Sequence, residues 1–405
     1  MPGGGWRVTM LRMSPKPIRR ARLGQPPKVA LLVETSNAYA RGLLAGIEDY
    51  IRVHGPWSVY LGERGRGDRP PDWLAKWDGD GIIARIENRS IARALEGMRV
   101  PVVDLSAARL LPRAPVVTPD NAAIARLAVQ HFTERGFRHF GYCGEARFAW
   151  SVERGECFSL LARTSGHICA IYTRPGSRVN SDEEVDAIAR WLRGLPKPAA
   201  VFACYDARGQ RVLDACRRAG LAVPEEVAVL GVDNDELLCA LSPPPLSSIR
   251  LNTQRSGWQA AALLALMMSG AKVPVETQRV PPLSVVTRQS TDVLAVDDPP
   301  VARALHYIRE HACDGLGVSD VLRHCPMARR TLEARLKALL GRTPREEIAR
   351  VQLGRVKELL AGTDLALAEI AGRAGFRHTE YLSVFFKREM GLTPGEFRKQ
   401  HGAGG

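Results

Sequence analysis

The chain has 405 residues, 45% of them hydrophobic, and a formal net charge of +14, which predicts two or three domains. Its longest apolar run, Ala260–Met268, is far short of the ~18 residues a membrane-spanning helix needs. Its eight cysteines form no Cys-x-x-Cys pair and no Cys/His zinc spacing, so they read as reduced core residues of a cytoplasmic protein without metal or cofactor.

Residues 1–26, rich in Gly, Pro and Arg, read as a disordered basic tail, with Met10 and Met13 as alternative starts. The tail has no apolar segment of the kind a secretory signal requires. Residues 1–28 carry seven Lys/Arg and no acid, residues 29–298 are nearly balanced at 32 against 31, and residues 299–405 carry 18 against 12. The C-terminal excess suits a polyanion, while the neutral middle suits an uncharged ligand.

From Lys28 onward, short apolar runs alternate with amphipathic helices. Predicted strands are Val29–Val33, Ser58–Leu61, Gly81–Ala84, Val100–Asp104 and Val116-Val117, with helices over Ala40–Val53, Ser90–Gly97 and Ala122–Arg135. A second set follows Gly136: strands His139–Cys143, Ile168–Tyr172, Ala199–Ala203 and Val227–Val232, and helices Arg154–Arg163, Asp182–Leu192 and Ala207–Ala219. Alternating βα units predict parallel sheets covered on both faces. Two such sets predict two lobes with a cleft lined by residues just after each strand.

The loops at those positions hold Asn37, Tyr39, Asp120, Trp150, Arg154, Asp206 and Asp233. Carboxylates and a guanidinium grip vicinal hydroxyls, and an aromatic face packs on the C–H side of a sugar, so the set suits a neutral polyhydroxyl ligand. A lone Asp after a strand is as readily a helix N-cap, and Asp120 is the most exposed to that reading because a helix starts beside it. This region resembles the LacI/periplasmic-binding-protein sensor fold. The resemblance rests on the Ser36-Asn37-Ala38-Tyr39 loop, Asp120-Asn121, Arg154, Asp206 and Leu230-Gly231-Val232-Asp233-Asn234. It implies that Asp120, Arg154, Asp206 and Asp233 contact ligand. Ser247-Ser248-Ile249 reads as the return to the first lobe. The resulting division is lobe one at 27–136 and 249–280, lobe two at 137–248 and 283–291, and a linker at 292–300.

Residues 301–400 contain a doublet. Gly341-Arg342-Thr343-Pro344 returns 50 positions later as Gly391-Leu392-Thr393-Pro394, and Leu332, Leu336 and Leu340 fall on Leu382, Phe386 and Met390. A fixed-period self-match means one supersecondary unit used twice. Each copy reads as a helix, a tight turn and a second helix. Gly375 supplies the second turn, and Tyr381, Leu382, Phe385 and Phe386 form the apolar face of the helix after it. The outer faces carry Arg329, Arg330, Glu333, Ala334 and Lys337 in copy one, and Thr379, Glu380, Ser383, Val384 and Lys387 in copy two. That is helix-turn-helix logic for reading a DNA major groove. Arg330, Glu333, Glu380, Tyr381 and Val384 are the base-edge candidates, Lys337 and Lys387 the phosphate candidates, and Arg329 is as readily a solvated surface residue. A helix over Arg345–Leu360, about 24 Å long at 1.5 Å per residue, holds the two readers apart.

This block resembles the DNA-binding domain of the AraC/XylS regulators, on the two Gly-x-Thr-Pro ends, Ile370-Ala371, Gly375-Phe376 and Tyr381–Lys387. It departs from them at Cys325-Pro326, where a Gly is usual, and at Ala328, where a capping Ser or Asp is expected. A LacI-like sensor joined to an AraC-like reader resembles the XylR-type xylose-operon activators. That resemblance implies a homodimer, a D-xylose effector, double-stranded operator DNA and, at the promoter, RNA polymerase as partners. The alternatives are a repressor of the same architecture and a sensor of another small polar metabolite. An enzyme is disfavoured, because the sequence has no Gly-x-Gly-x-x-Gly after the first strand, no P-loop and no Gly-x-Ser-x-Gly.

Overall fold

The computed structural model describes residues 25–174, 182–292, 298–363 and 365–401. The expected tail up to residue 24 and linker residues 293–297 lie outside these. The described residues form two compact units, one within 25–124, 147–153 and 250–284, the other within 125–146, 154–249 and 285–401.

The first unit contains β1 (Lys28–Leu32), α1 (Ala38–His54), β2 (Ser58–Leu61), β3 (Gly81–Ala84), α2 (Arg89–Glu96), β4 (Val102–Asp104) and β5 (Val116–Pro119). α3 (Asn121–Thr133) leads into the second unit. There follow β6 (His139–Glu145), α4 (Ala149–Thr164), β7 (Ile168–Arg174), α5 (Asp182–Arg193), β8 (Ala199–Ala203), α6 (Asp206–Ala219), β9 (Val227–Val232), α7 (Glu236–Leu241) and β10 (Ser247–Arg250). α8 (Thr253–Met268) and β11 (Thr277–Val280) return to the first unit, and β12 (Ser284–Val286) leaves it.

The first sheet runs β11-β5-β4-β3-β1-β2 and the second β12-β10-β9-β8-β6-β7. Each therefore contains the same 2-1-3-4-5 core order plus one late edge strand. The central strands β3, β8 and β9 are buried throughout, as parallel strands with covered faces must be. Where α1 meets α8 the backbones nearly touch. A Cβ at Gly46 would lie 1.9 Å from the Gln254 carbonyl oxygen, and one at Gly257 1.9 Å from that of Leu43, so only glycine allows this approach. In the second unit Phe132, Phe140, Phe158 and Phe202 form a buried ring cluster, with centroids 5.0–6.4 Å apart, a spacing at which aromatic pairs add to area burial.

The all-α part comprises α9 (Pro299–His311), α10 (Val318–His324), α11 (Arg329–Leu340), α12 (Pro344–Gly362), α13 (Leu367–Arg373), α14 (Thr379–Met390) and α15 (Pro394–His401). It holds two separate apolar cores. One is centred on Val321, Leu332 and Leu336, the other on Ile370, Leu382 and Phe386. The repeated Gly-x-Thr-Pro has a physical reading. Gly341 and Gly391 end α11 and α14 in the left-handed region, at φ 70° and 72°. Thr343 and Thr393 then cap the next helix, and Glu346 and Glu396 accept in return from the Thr343 and Thr393 backbone N–H groups at 2.6 and 2.7 Å. This is a capping box behind a proline start. The Thr343 and Thr393 amides hold the Glu346 and Glu396 carboxyls below the usual range.

Four expectations change. Ser247–Ile249 is not a return to the first sheet, because Ser247, Ser248 and Ile249 pair in parallel with Leu230, Gly231 and Val232 of β9. α4 begins at Ala149, so Arg154 sits in its second turn instead of opening it. The connecting helix is longer than expected, at 19 residues or about 28 Å. α7 and β11 arise where no element was foreseen. Among the described residues no helix is long and apolar enough to cross a membrane.

Candidate functional sites

In the first unit a polar group forms where β1, β3 and β4 end, as parallel strand ends converge. Arg85 follows β3 directly and is buried. Its guanidinium donates to Glu34 at 3.0 Å and to Glu87 at 2.5 Å, and it lies 4.9 Å from the Tyr39 ring centroid. Burial opposes its charge, but Glu87 and Glu34 more than offset this and hold it protonated. Trp150 donates from Nε1 to Glu87 at 3.1 Å and stacks on Phe148 with centroids 5.2 Å apart. The Arg66 guanidinium lies over both rings. Asp104 is fully buried and accepts from the Ile86 and Ser106 amides at 3.1 and 2.9 Å; burial pushes its carboxyl up to about 8.

Asn37 and Asp120 serve as helix caps. Asn37 Oδ1 accepts from Ala40 N at 2.9 Å, and Asp120 Oδ1 from Ala123 N at 2.9 Å. Each keeps its second polar atom for other use, but the capping alternative does describe Asp120. Glu34, Arg85 and Glu87 were not among the sequence candidates. The available signal was a charged residue straight after an apolar strand.

The second unit repeats the arrangement. Arg208, buried in α6, pairs with Glu184 at 2.7 Å and with Glu145 at the end of β6 at 3.5 Å. Tyr205 donates to Glu145 at 2.8 Å. A cavity of about 460 Å³ opens here, lined by Glu145, Tyr205, Arg208, Arg211 and Ser242 among others. Arg154 is buried, and its guanidinium donates to the Cys204 carbonyl. Asp206 is committed internally: Oδ1 accepts from Ser248 Oγ at 2.5 Å and Oδ2 from Asp235 N at 2.7 Å. Burial, together with the charge of Asp233, raises its pKa well above the usual carboxylate range. Asp233 and Asn234 both adopt positive φ, 105° and 52°. Non-glycine residues hold that conformation at a cost of about 1–3 kcal/mol each, and such strain concentrates at functional sites. Neither Arg154, Asp206 nor Asp233 lines the cavity, although Tyr205 and Ala207 on either side of Asp206 do. Among the described residues no cluster of three His, Cys, Asp or Glu is placed to hold a metal ion.

The reader helices α11 and α14 present the expected outer faces. Arg329, Arg330, Lys337, Glu380 and Lys387 are exposed. Arg329 Nε donates to Glu333 at 2.9 Å one turn on, an exposed pair worth only ~0.3–0.5 kcal/mol. Val384 and Tyr381, both base-edge candidates, are 68% and 55% exposed, and Tyr381 also touches the apolar face. Its ring leans on Phe385, with centroids 6.4 Å apart, and leaves its outer edge in solvent. Thr379 and Ser383 are half-buried, and Ser383 Oγ donates to the Thr379 carbonyl at 3.0 Å.

Comparison with known proteins spans the described chain. Residues 28–122 match the model of the XylR N-terminal domain, 129–291 a periplasmic binding protein-like domain, and 322–400 a helix-turn-helix domain. The chain is 33% identical over 382 residues to the xylose operon regulatory protein of Haemophilus influenzae, covering 92% of this chain and 98% of that one. It is 32% identical over 385 residues to the protein of the same name in Escherichia coli, covering 92% and 96%. It also superposes on the solved structure of the xylose-binding transcription activator XylR with a TM-score of 0.82 at 30% identity, over 94% of this chain and all of that one. With its two α/β sheets, its doubled helix-turn-helix and relatives that are transcription regulators and not enzymes, the chain belongs to the xylose operon regulatory protein family, sugar-sensing regulators with an AraC-type DNA-binding domain.

Proposed function

We propose that this protein is a cytoplasmic homodimeric activator of sugar-use genes, with D-xylose as its effector and RNA polymerase as its partner at the promoter. One observation carries the reading: likeness to xylose operon regulatory proteins runs unbroken through sensor and reader. The chemistry agrees with a pentose. A neutral polyhydroxyl ligand needs acceptors and donors in pairs, which carboxylates and guanidinium groups provide. Arg154 and Asp233 grip hydroxyls, and Trp150 with Tyr39 offers aromatic surface. Asn37 and Asp120 add the polar atoms that capping leaves over, and Asp206 positions the Ser248 and Asp235 side of the site. The DNA contacts are those of α11 and α14: Arg330, Glu333, Glu380, Tyr381 and Val384 toward bases, Arg329, Thr379, Ser383, Lys337 and Lys387 toward the backbone.

Sugar alters DNA binding only through differential affinity for two states, and a tenfold effect needs about 1.4 kcal/mol. The test is a thermal-shift screen of sugars, followed by DNA affinity with and without the best of them. A ligand at 100 times its dissociation constant adds about 2.7 kcal/mol, so D-xylose should raise the melting temperature clearly. If no sugar moves either melting or DNA affinity, the effector reading is lost. A reporter gene that falls with xylose would make the protein a repressor.

A further inference from the structure

The second unit contains both the second sheet and the all-α reader, and charged groups join them. Glu225, in the loop between α6 and β9, is fully buried. Its Oε1 lies 3.2 Å from Arg309 Nη1 and its Oε2 3.7 Å from His306 Nδ1, both on α9. Arg309 Nη2 in turn lies 3.6 Å from Glu347 Oε1 on α12. A second link starts at the root of the linker. Thr291 accepts from Arg135 Nε at 2.9 Å through its carbonyl, and its hydroxyl lies 2.8 Å from His131 Nε2. The next residue, Asp292, accepts from Arg350 of α12.

The two parts of this network are bonded differently. Inside the reader, Glu347 accepts well-formed hydrogen bonds, from Arg342 Nε at 2.5 Å and from Arg350 at 2.9 and 3.0 Å. At the seam, neither Glu225 oxygen and none of the three Arg309 guanidinium nitrogens has an aligned hydrogen bond within the described residues. A buried ion pair without such bonds recovers little of its desolvation cost. The seam therefore fixes orientation more than it adds adhesion, and it costs little to separate. The reader's internal carboxylate cluster would move as one piece.

We propose that the Glu225–Arg309 contact, flanked by His306, is a detachable lock that holds the reader on the second sheet unit and transmits effector occupancy to it. The Asp292–Arg350 pair is the pivot that stays in place. This rests on the sugar-sensing reading above. None of these residues belongs to the proposed sugar or DNA contacts, so the lock can be altered without touching either.

The experiment uses the full chain as wild type, Glu225→Gln, Arg309→Gln and the double variant. The control is Glu310→Gln, the exposed partner of His306 on its own helix turn. Two quantities are measured: hydrogen exchange of backbone amides in α9, and affinity with and without D-xylose for a duplex selected by wild type from random sequence. Both single variants should speed α9 exchange about tenfold and bring the ratio of affinities with and without xylose toward one. The double variant should do little more than either, since the two side chains act as one unit. The control should match wild type. Wild-type exchange rates in both singles, or a full xylose response in both, would overturn the lock. If wild type itself ignores xylose, the effector reading fails, and the exchange rates alone then judge the lock. Melting near the wild-type temperature establishes that each variant is folded.

Discussion

The two helix-turn-helix copies share a pattern but not a set of constraints. In copy two the turn residue Gly375 sits at φ +78°, and a Cβ there would come within 2.8–2.9 Å of the Cys313 and Ala312 carbonyl oxygens. In copy one the equivalent turn is made by Cys325 at φ −118°, buried and unstrained. Copy two is pressed against backbone from the first half, so it needs glycine for space as well as for conformation. In copy one the Cys325 side chain packs into the first core instead. The reading faces differ too: copy one offers mostly charge, through Arg329, Arg330, Glu333 and Lys337, and copy two offers Tyr381 and Val384 beside Glu380 and Lys387. Similar helices thus acquire different work from what surrounds them. Neither reader helix has a side-chain N-cap, since Ala328 and His378 make none. The missing cap at Ala328 therefore does not distinguish the copies.

The comparison is broken most forcefully in the cores. Phe386→Ala should cost roughly 3–5 kcal/mol and Leu336→Ala roughly 2–5 kcal/mol, since both side chains are fully buried. Because the cores are separate, each should melt its own copy first. Hydrogen exchange resolved by helix checks this, and equal loss of protection in both copies would show them to be one unit. Next comes the turn. Gly375→Ala combines left-handed strain with overpacking and should cost about 2–4 kcal/mol in urea denaturation. Cys325→Ala in copy one should cost clearly less.

DNA binding sharpens the contrast further. Arg330→Ala should lose about 1–3 kcal/mol of discrimination at one base pair, read by competition between the selected duplex and single-base variants. Val384→Ala should weaken specific binding without changing its salt dependence, because no charge is removed. The capping boxes predict sameness. Thr343→Ala and Thr393→Ala should each cost about 1 kcal/mol, and a large difference would show that the repeat is not equivalent at its ends. The smallest effect is expected at the lysines: Lys337→Ala and Lys387→Ala should each lower the slope of log affinity against log salt by about one unit, on specific and random DNA alike.

Much of this architecture is legible from local pattern. Apolar runs such as Ala199–Ala203 and Val227–Val232 are strands at the expected bounds, because a strand buried on both faces must be apolar throughout. The reader helices are legible because 3.6-residue spacing and glycine ends are local signals. The candidate sugar site is less so. A residue after a strand is easily found, but whether it faces ligand or fills an internal valence is a tertiary matter. Asp206 spends both carboxylate oxygens on Ser248 and Asp235, and Arg85 and Arg208 pass unnoticed because Glu34 and Glu184, which help to hold them, lie far away in the chain. Ser247–Ile249 is misplaced for a similar reason, since a short strand carries no mark of which sheet will pair with it.

The sequence by itself determined two parallel α/β sets, a doubled DNA-reading unit and the charge that favours a polyanion at the C-terminal end. These follow from periodicity, turn chemistry and composition, which act over a few residues at a time. Only the tertiary structure decided that Gly375 must yield space to a neighbouring backbone, that Arg85 and Arg208 are each braced by two carboxylates, and that Glu225 meets Arg309. Such pairings depend on distance through space in a medium of low polarity, and the linear order of residues does not encode that distance locally.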